Sequence, residues 1–329
     1  MTDASSPHLP AHVTAAQAGR LNRRAAFFSI TVATLLFGLK GWAVLSTGSL
    51  AMLGSLADTA LDLVASLATL LGVWIAAIPD DDNHRFGHGK AEALAAMFQV
   101  VLISLSAIGL AVRAIGQMFG HAAVEDPGLG IAVSALAIGA TLVLVAYQQW
   151  VIARTRSVAI ATDHVHYRAD LLLNLAVIAA LAIERWGHIQ GADAVFALLI
   201  AGWLGWGAWG ASQQAIEQLM DGEWPVEKRE RFLAVAARHP ALKGIHDFRT
   251  RTSGNRDFVQ FHVWVDGSMT VTQAHHVMDE IEAALEREFP GTEILIHPDP
   301  EGLIDEDLRG AVDVLAGEES PALLAQGRP

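Results

Sequence analysis

Uncharged, mostly apolar runs alternate with short polar stretches over the first two-thirds of the chain, at 25–39, 41–57, 63–79, 93–112, 127–153 and 194–216. A helix of about 20 apolar residues crosses a hydrocarbon core, so several of these runs can span alone. The run 171–183 is shorter, but extended back to Ala159 it becomes a full helix carrying Asp163, His166, Arg168 and Asp170. The pattern predicts six transmembrane helices at about 26–46, 50–78, 91–119, 128–154, 159–184 and 192–219. Past residue 220 the period changes. Asp221 and Gly222 break the last apolar run and Pro225 suits a first helical turn, which predicts a helix over 225–238 with Phe232, Val235 and Ala236 inward. Val259, Phe261 and Val263 alternate with Phe258, Gln260 and His262, as in a strand. Strands are therefore expected at 244–252 and 256–266, turning through Ser253–Gly254–Asn255, followed by a helix at 271–289 and a strand at 292–297.

The fold class that follows is a membrane α-helical domain of six spans over 20–220 and a C-terminal α+β domain of αββαβ order over 221–300. At about 80 residues the second domain is small for an independent core, which favours packing against a second copy. Residues 1–19 lack an apolar signal-peptide core and read as a flexible arm; 301–329 is acidic, without sustained period, and reads as a disordered tail.

Composition sharpens the division. Of 329 residues 52% are hydrophobic and 17% charged, against about 25% charged in soluble proteins. Residues 1–220 hold 14 acids and 11 bases, while 221–329 hold 21 acids and 11 bases. With this acidic balance no extended basic face is left to neutralise a nucleic-acid backbone, so nucleic acid is not expected as a partner. Arg20, Arg23, Arg24, Arg85, Lys90, Arg154 and Arg156 flank one set of helix ends, and only Arg185 lies in the alternate connections. The positive-inside bias puts both termini and the acidic third in the cytoplasm, with the helices in the cell (inner) membrane. There is no cysteine, so any metal site must use imidazole and carboxylate.

Ionisable groups inside spans are costly and call for a reason. Asp58 and Asp62 in the second helix, and His166 and Asp170 in the fifth, are each spaced i, i+4 and so share a helical face. Three carboxylates and one imidazole from two helices can make a four-coordinate oxygen–nitrogen site, suited to Zn²⁺ with Fe²⁺, Co²⁺ and Cd²⁺ as competitors. Pairing with Lys40, Arg113 or Arg168 is the alternative use of the same groups. Because only neutral imidazole binds metal, protons compete for the site, which gives metal–proton antiport without a second site. After the second helix, Asp81, His84 and His88 at i, i+3, i+7 can gather around one cation, or form a solvated turn. The C-terminal domain is dense in histidine, with His239, His246, His262, His275, His276 and His297 beside Asp247 and Asp299.

These motifs resemble the cation diffusion facilitator family of zinc transporters, in its bacterial iron/zinc-efflux branch. The resemblance covers about residues 20–300 and is carried by GSLAMLGSLADTALD, DDNHRFGHGKAE and HYRAD, with GIHDFRTRTSG and IHPDP in the C-terminal part. It implies a homodimer with a ferredoxin-like, metallochaperone-like cytoplasmic domain. It also implies a transport site at Asp58, Asp62, His166 and Asp170, and a loop site at Asp81, His84 and His88. A binuclear cytoplasmic site maps to His246, His262, His297 and Asp299, with His275 as a further ligand, and a dimer charge interlock to Lys90 with Asp221. The glutamine frequent in the family between the last His and Asp is Pro298 here, which removes one potential ligand, and His276 falls outside the family pattern. The expected function is export of a divalent cation, Zn²⁺ first, against protons by alternating access, with cytoplasmic metal biasing the dimer. A membrane zinc sensor without net transport is the alternative. An enzyme is not expected, since the chain has no HExxH and no evident general base beside an open coordination position.

Overall fold

The computed structural model describes residues 15–47, 50–119, 128–187 and 192–301. They divide into two compact units, Met1–Met220 and Asp221–Pro329. The first holds six helices: α1 (Ala15–Thr47), α2 (Leu50–Ala76), α3 (Ala91–Phe119), α4 (Gly128–Thr155), α5 (Val158–Gly187) and α6 (Ala192–Leu219). Five of these are long and apolar enough to cross a membrane; α5 is as long, at 30 residues, but its first half is interrupted by Asp163, Arg168 and Asp170. The first helix starts at Ala15 and so takes in part of the stretch expected to be a flexible arm. Ala15, Ala16, Gln17 and Ala18 are good helix formers, and nothing in them breaks the helix where the apolar run begins. The remainder of that arm and the acidic tail beyond Glu301 lie outside the described residues.

Burial in this unit is inverted relative to a water-soluble protein. Leu45, Leu199 and Trp206 point outward, 89%, 65% and 78% exposed, while Ser29, Thr69, Gln99, Gln148 and Asp163 are fully enclosed. An apolar exterior over a polar interior is what a lipid solvent selects. Alanines 25, 26, 93, 96, 159 and 215 have no exposed surface, and small residues let helix backbones approach closely where lipid supplies no hydrophobic drive. The tightest of the described glycine positions is Gly72 of α2, where an added Cβ would lie 2.3 Å from Ala95 Cβ and 3.0 Å from the Ala91 carbonyl of α3.

Interior hydrogen bonds tie the helices together. Asp163 of α5 accepts from Gln99 of α3 at 2.8 Å and from Gln148 of α4 at 2.7 Å, and Gln148 also donates to Ser29 of α1 at 3.0 Å. Tyr167 of α5 bonds Ser66 of α2 at 2.7 Å, and Glu92 of α3 accepts from Asn22 of α1 and from Ser157 between α4 and α5. Every helix from α1 to α5 is thus pinned by a buried polar contact, and α6 packs through apolar surface along α3 and α5.

The second unit is α7 (Val226–Ala236), β1 (Gly244–Ser253), β2 (Arg256–Val265), α8 (Val271–Glu288) and β3 (Thr292–Pro300), in the expected αββαβ order. The sheet runs β1-β2-β3, with β1 antiparallel and β3 parallel to β2. Val259, Phe261, Val263 and Val265 join Phe232, Met278, Ile281 and Leu285 of the helices in one core. Phe232 is its centre, with the rings of Trp224, Phe248, Phe261 and Phe289 at 5.0 to 5.9 Å. A capping box between Thr270 and Gln273 starts α8. Gly254, at φ +62°, makes the β1–β2 turn that the Ser253–Gly254–Asn255 run predicts. Strand β3 extends three residues past its expected end at 297. It is an edge strand, so Pro298 and Pro300 remove no ladder bond that the sheet needs.

Candidate metal sites

Because successive strand residues face opposite sides, the β2 residues outside the core (Phe258, Gln260, His262 and Trp264) lie on the sheet face away from the helices. His262 is there directly opposite His246 of β1 and, on its other side, opposite His297 of β3. Three imidazoles therefore form a row at right angles to the strands, and Asp299 closes it. Its Oδ2 lies 3.1 Å from His246 Nε2 and 2.9 Å from His262 Nδ1, and its Oδ1 lies 3.3 Å from His297 Nε2. His246, His262 and Asp299 bring ligand atoms within 4.8 Å of one another. Just after His246 the register slips by one residue, and Asp247 takes φ +46°, a left-handed value rare outside glycine. This bulge places Asp247 Oδ2 3.8 Å from His262 Nε2, with Arg249 donating to its other oxygen at 2.9 Å. Sequence reasoning marked Asp247 only as a neighbour; the bulge that turns it inward has no pattern in a run of ordinary strand residues.

His275, expected as a further ligand, is not brought to this row. It sits on α8, which covers the opposite sheet face, with its side chain 76% exposed and 3.8 Å from Asp279. His276 and His239 both face Glu280, at 3.3 and 2.9 Å, and their contacts lower the Glu280 pKa, the His239 hydrogen bond most.

In the first unit, α2 and α5 bring Asp62, His166 and Asp170 together. His166 Nε2 lies 2.9 Å from Asp62 Oδ1 and 3.7 Å from Asp170 Oδ2, with the imidazole almost fully buried. The fourth expected member stands apart. Asp58 is 57% exposed, and its Oδ2 faces Arg113 of α3 at 3.4 Å, one of the pairings the sequence left open. Lys40, another possible partner, instead donates to Thr59 Oγ1 at 2.6 Å.

The loop after α2 gathers all three of its expected ligands. Asp81 Oδ1 accepts from the backbone of Asn83 and His84 at 2.9 and 2.7 Å and meets His84 Nδ1 at 3.2 Å; its Oδ2 lies 3.4 Å from His88 Nε2. Gly87, at φ +76°, lets the chain fold His88 back onto His84, with ring centres 4.4 Å apart. The His84 amide above all holds the Asp81 pKa below its ordinary 3.8. The two residues expected to form a charge interlock lie one in each unit. Lys90 donates to the Leu219 carbonyl at 3.2 Å, and Asp221 lies 3.6 Å from Arg251.

Comparison with known proteins matches this two-part layout. The model of the cation efflux transmembrane domain matches residues 26–220, and that of the cation efflux protein, cytoplasmic domain, matches 224–301. The chain belongs to the cation efflux family. Among its relatives, the cation-efflux pump FieF of Serratia proteamaculans is 40% identical over 294 residues, covering 89% of this chain and 98% of that one. FieF of Escherichia coli K12 is 40% identical over 282 residues, covering 86% and 94%. Two solved structures are similar to about a quarter of the chain. The zinc form of CzrB is 41% identical over 25% of this chain and 96% of its own, with a TM-score of 0.23. The metal-bound C-terminal domain of CzcD from Thermotoga maritima is 26% identical over 24% and 94%, with a TM-score of 0.24.

Proposed function

We propose that this member of the cation efflux family exports a divalent cation, Zn²⁺ before Fe²⁺, Co²⁺ or Cd²⁺, in exchange for protons, as a homodimer with both termini in the cytoplasm. The observation that carries the reading is the Asp62–His166–Asp170 cluster between α2 and α5, with His166 buried and both carboxylates partly so. Two acceptors 2.9 Å apart, an imidazole nitrogen and a carboxylate oxygen, are held by a proton between them. A cation taking the His166 Nε2 lone pair must displace that proton, so one position holds either a proton or a metal ion. Asp58, one turn before Asp62, leaves Arg113 when the cation arrives and supplies the fourth ligand. Exchange of exposure between the two sides then needs only a rocking of the helices that carry these ligands.

The other two clusters fit resident zinc by donor chemistry. Each offers imidazole nitrogens and a carboxylate with ligand atoms within 4.8 Å of one another. Asp81, His84 and His88 would hold one ion in the loop. His246, His262, His297 and Asp299 would hold metal in the cytoplasmic domain, with His275, on the other sheet face, a ligand only toward a second copy. Such an ion would supply a positive charge that crosslinks the ligands, bringing two copies of the domain together and biasing the membrane part. Lys90 and Asp221 would pair as a charge interlock in that dimer.

The deciding experiment is reconstitution in proteoliposomes with Zn²⁺, Fe²⁺, Mn²⁺ and Cd²⁺ in competition across an imposed pH gradient. Asp62→Ala serves as the inactive reference. Flux that ignores the gradient removes the antiport, transport by Asp62→Ala removes the site assignment, and a metal-dependent conformational change without flux makes the protein a sensor.

A further inference from the structure

Arg20, Arg23, Arg24, Phe27, Phe28 and Thr31 fall at i, i+3, i+4, i+7, i+8 and i+11 on α1, a single helical face. Leu70 and Trp74, one turn apart on α2, stand opposite, and the eight residues enclose an open groove of about 610 Å³. The groove is polarised along its length. Three guanidiniums occupy the end nearer the start of α1, and aromatic and aliphatic side chains line the remainder, with Phe27 65% and Trp74 56% exposed. No carboxylate lines it, and none of the three arginines forms an ion pair among the described residues.

Three cations without an ion pair among the described residues, leading into an apolar trough, are complementary to an amphiphile with an anionic head. We infer that this groove binds an anionic phospholipid, with its phosphate on Arg20, Arg23 and Arg24 and an acyl chain along Phe27, Phe28, Leu70 and Trp74. The inference rests on reading α1 and α2 as membrane spans. A zwitterionic lipid brings an ammonium group that the arginines repel, and free phosphate leaves the apolar length uncovered. The chain's own residues 1–14 carry one acid, Asp3, a poor counter-charge for three guanidiniums. A lipid seated here bridges α1 to α2, the helix that carries Asp62.

The test uses the full-length protein in neutral detergent, titrated with phosphatidylglycerol and with phosphatidylcholine of the same chains and followed by native mass spectrometry. Two charge-matched variants are compared, Arg20→Gln/Arg23→Gln/Arg24→Gln and, away from the groove, Arg85→Gln/Arg154→Gln/Arg156→Gln. The expected result is preferential binding of phosphatidylglycerol, weakened about tenfold or more by the groove variant and much less by the other. Trp74→Ser should weaken lipid binding through the apolar wall with every arginine in place. Equal binding of the two lipids overturns the inference. So does an equal loss in both arginine variants, which would mean diffuse surface charge. Displacement of bound lipid by inorganic phosphate at equal concentration would reduce the groove to an anion site and overturn it as well. The thermal unfolding midpoint of each variant shows whether the fold is intact, since all the substituted arginines are exposed.

Discussion

Among the described residues Asp163 is the most enclosed carboxylate of the membrane unit, and its two oxygens hold α3 and α4 to α5 through Gln99 and Gln148. Asp163→Leu keeps a side chain of similar length but removes both acceptors. A buried donor left without a partner costs about 1–3 kcal/mol. Gln148 retains Ser29 Oγ at 3.0 Å and Gln99 retains only the long contact to the Ala65 carbonyl at 3.5 Å, so the two losses sum to about 2–4 kcal/mol. Removing a buried carboxylate offsets part of this, leaving a net destabilisation of about 1–3 kcal/mol. Asp163→Asn should behave differently. The Oε1 atoms of both glutamines have no partner, so a flip of the Gln99 amide lets its oxygen accept from the new Asn Nδ2 while Asn Oδ1 keeps Gln148. The flip gives up the 3.5 Å contact and leaves Gln99 Nε2 as one buried donor without an acceptor, a loss of about 1–2 kcal/mol against the 2–4 kcal/mol of two such donors. The assay is the thermal unfolding midpoint of purified protein in one detergent, with wild type, Asn and Leu variants side by side. The reasoning is refuted if Asn and Leu destabilise equally, because the negative charge and not the number of acceptors would then hold the helices.

Gly72→Val should separate α2 from α3 where Gly72 meets Ala95 and lower zinc flux more than Gly109→Val, whose position has open space around it; equal effects would remove the packing argument. Arg113→Ala should free Asp58 and raise apparent zinc affinity by a few-fold, about 0.5–1 kcal/mol for an exposed pair; a lowered affinity would show that Arg113 serves the site instead. Asp81 has a depressed pKa in the folded loop, so its contribution is present above about pH 4 and is lost as pH falls through the folded value. Hydrogen exchange at the Asn83 and His84 amides should therefore accelerate, relative to other amides, only in strong acid, and Asp81→Asn should remove that acid step. Asp299→Ala should cut zinc binding by the second domain at least tenfold, because one carboxylate serves three imidazoles; calorimetry with unchanged affinity would dismiss the row as a site.

The parts legible in the sequence were those set by local periodicity. Each i, i+4 pair had to share a helical face, and Asp62, His166 and Asp170 do meet across α2 and α5. Apolar runs located all six helices of the first unit, and alternation located β2 with its inward Val259, Phe261 and Val263. The parts that were not legible depend on partners distant in the chain. Whether Asp58 faces the cluster or Arg113 is a rotamer choice across two helices, which spacing along one helix cannot express. The inward turn of Asp247 needs a bulge fixed by pairing with β2, and the length of β3 depends on its being an edge, where proline is tolerated. His275 came from the resemblance and not from spacing, and spacing cannot express that its helix covers the sheet face opposite the row.

The histidine row has a mechanical meaning apart from affinity. His246, His262 and His297 lie on three separate strands at one level of the sheet, and the outer two are far apart in sequence. An ion held by His246, His262 and Asp299, one ligand from each strand, would work as a rivet driven across the grain, perpendicular to the direction in which the strands slide. β3, held to the sheet along one side only, could then neither peel away nor slip by a residue without first breaking metal–ligand bonds. Loading with zinc would convert an edge of the sheet into one of the domain's last parts to open.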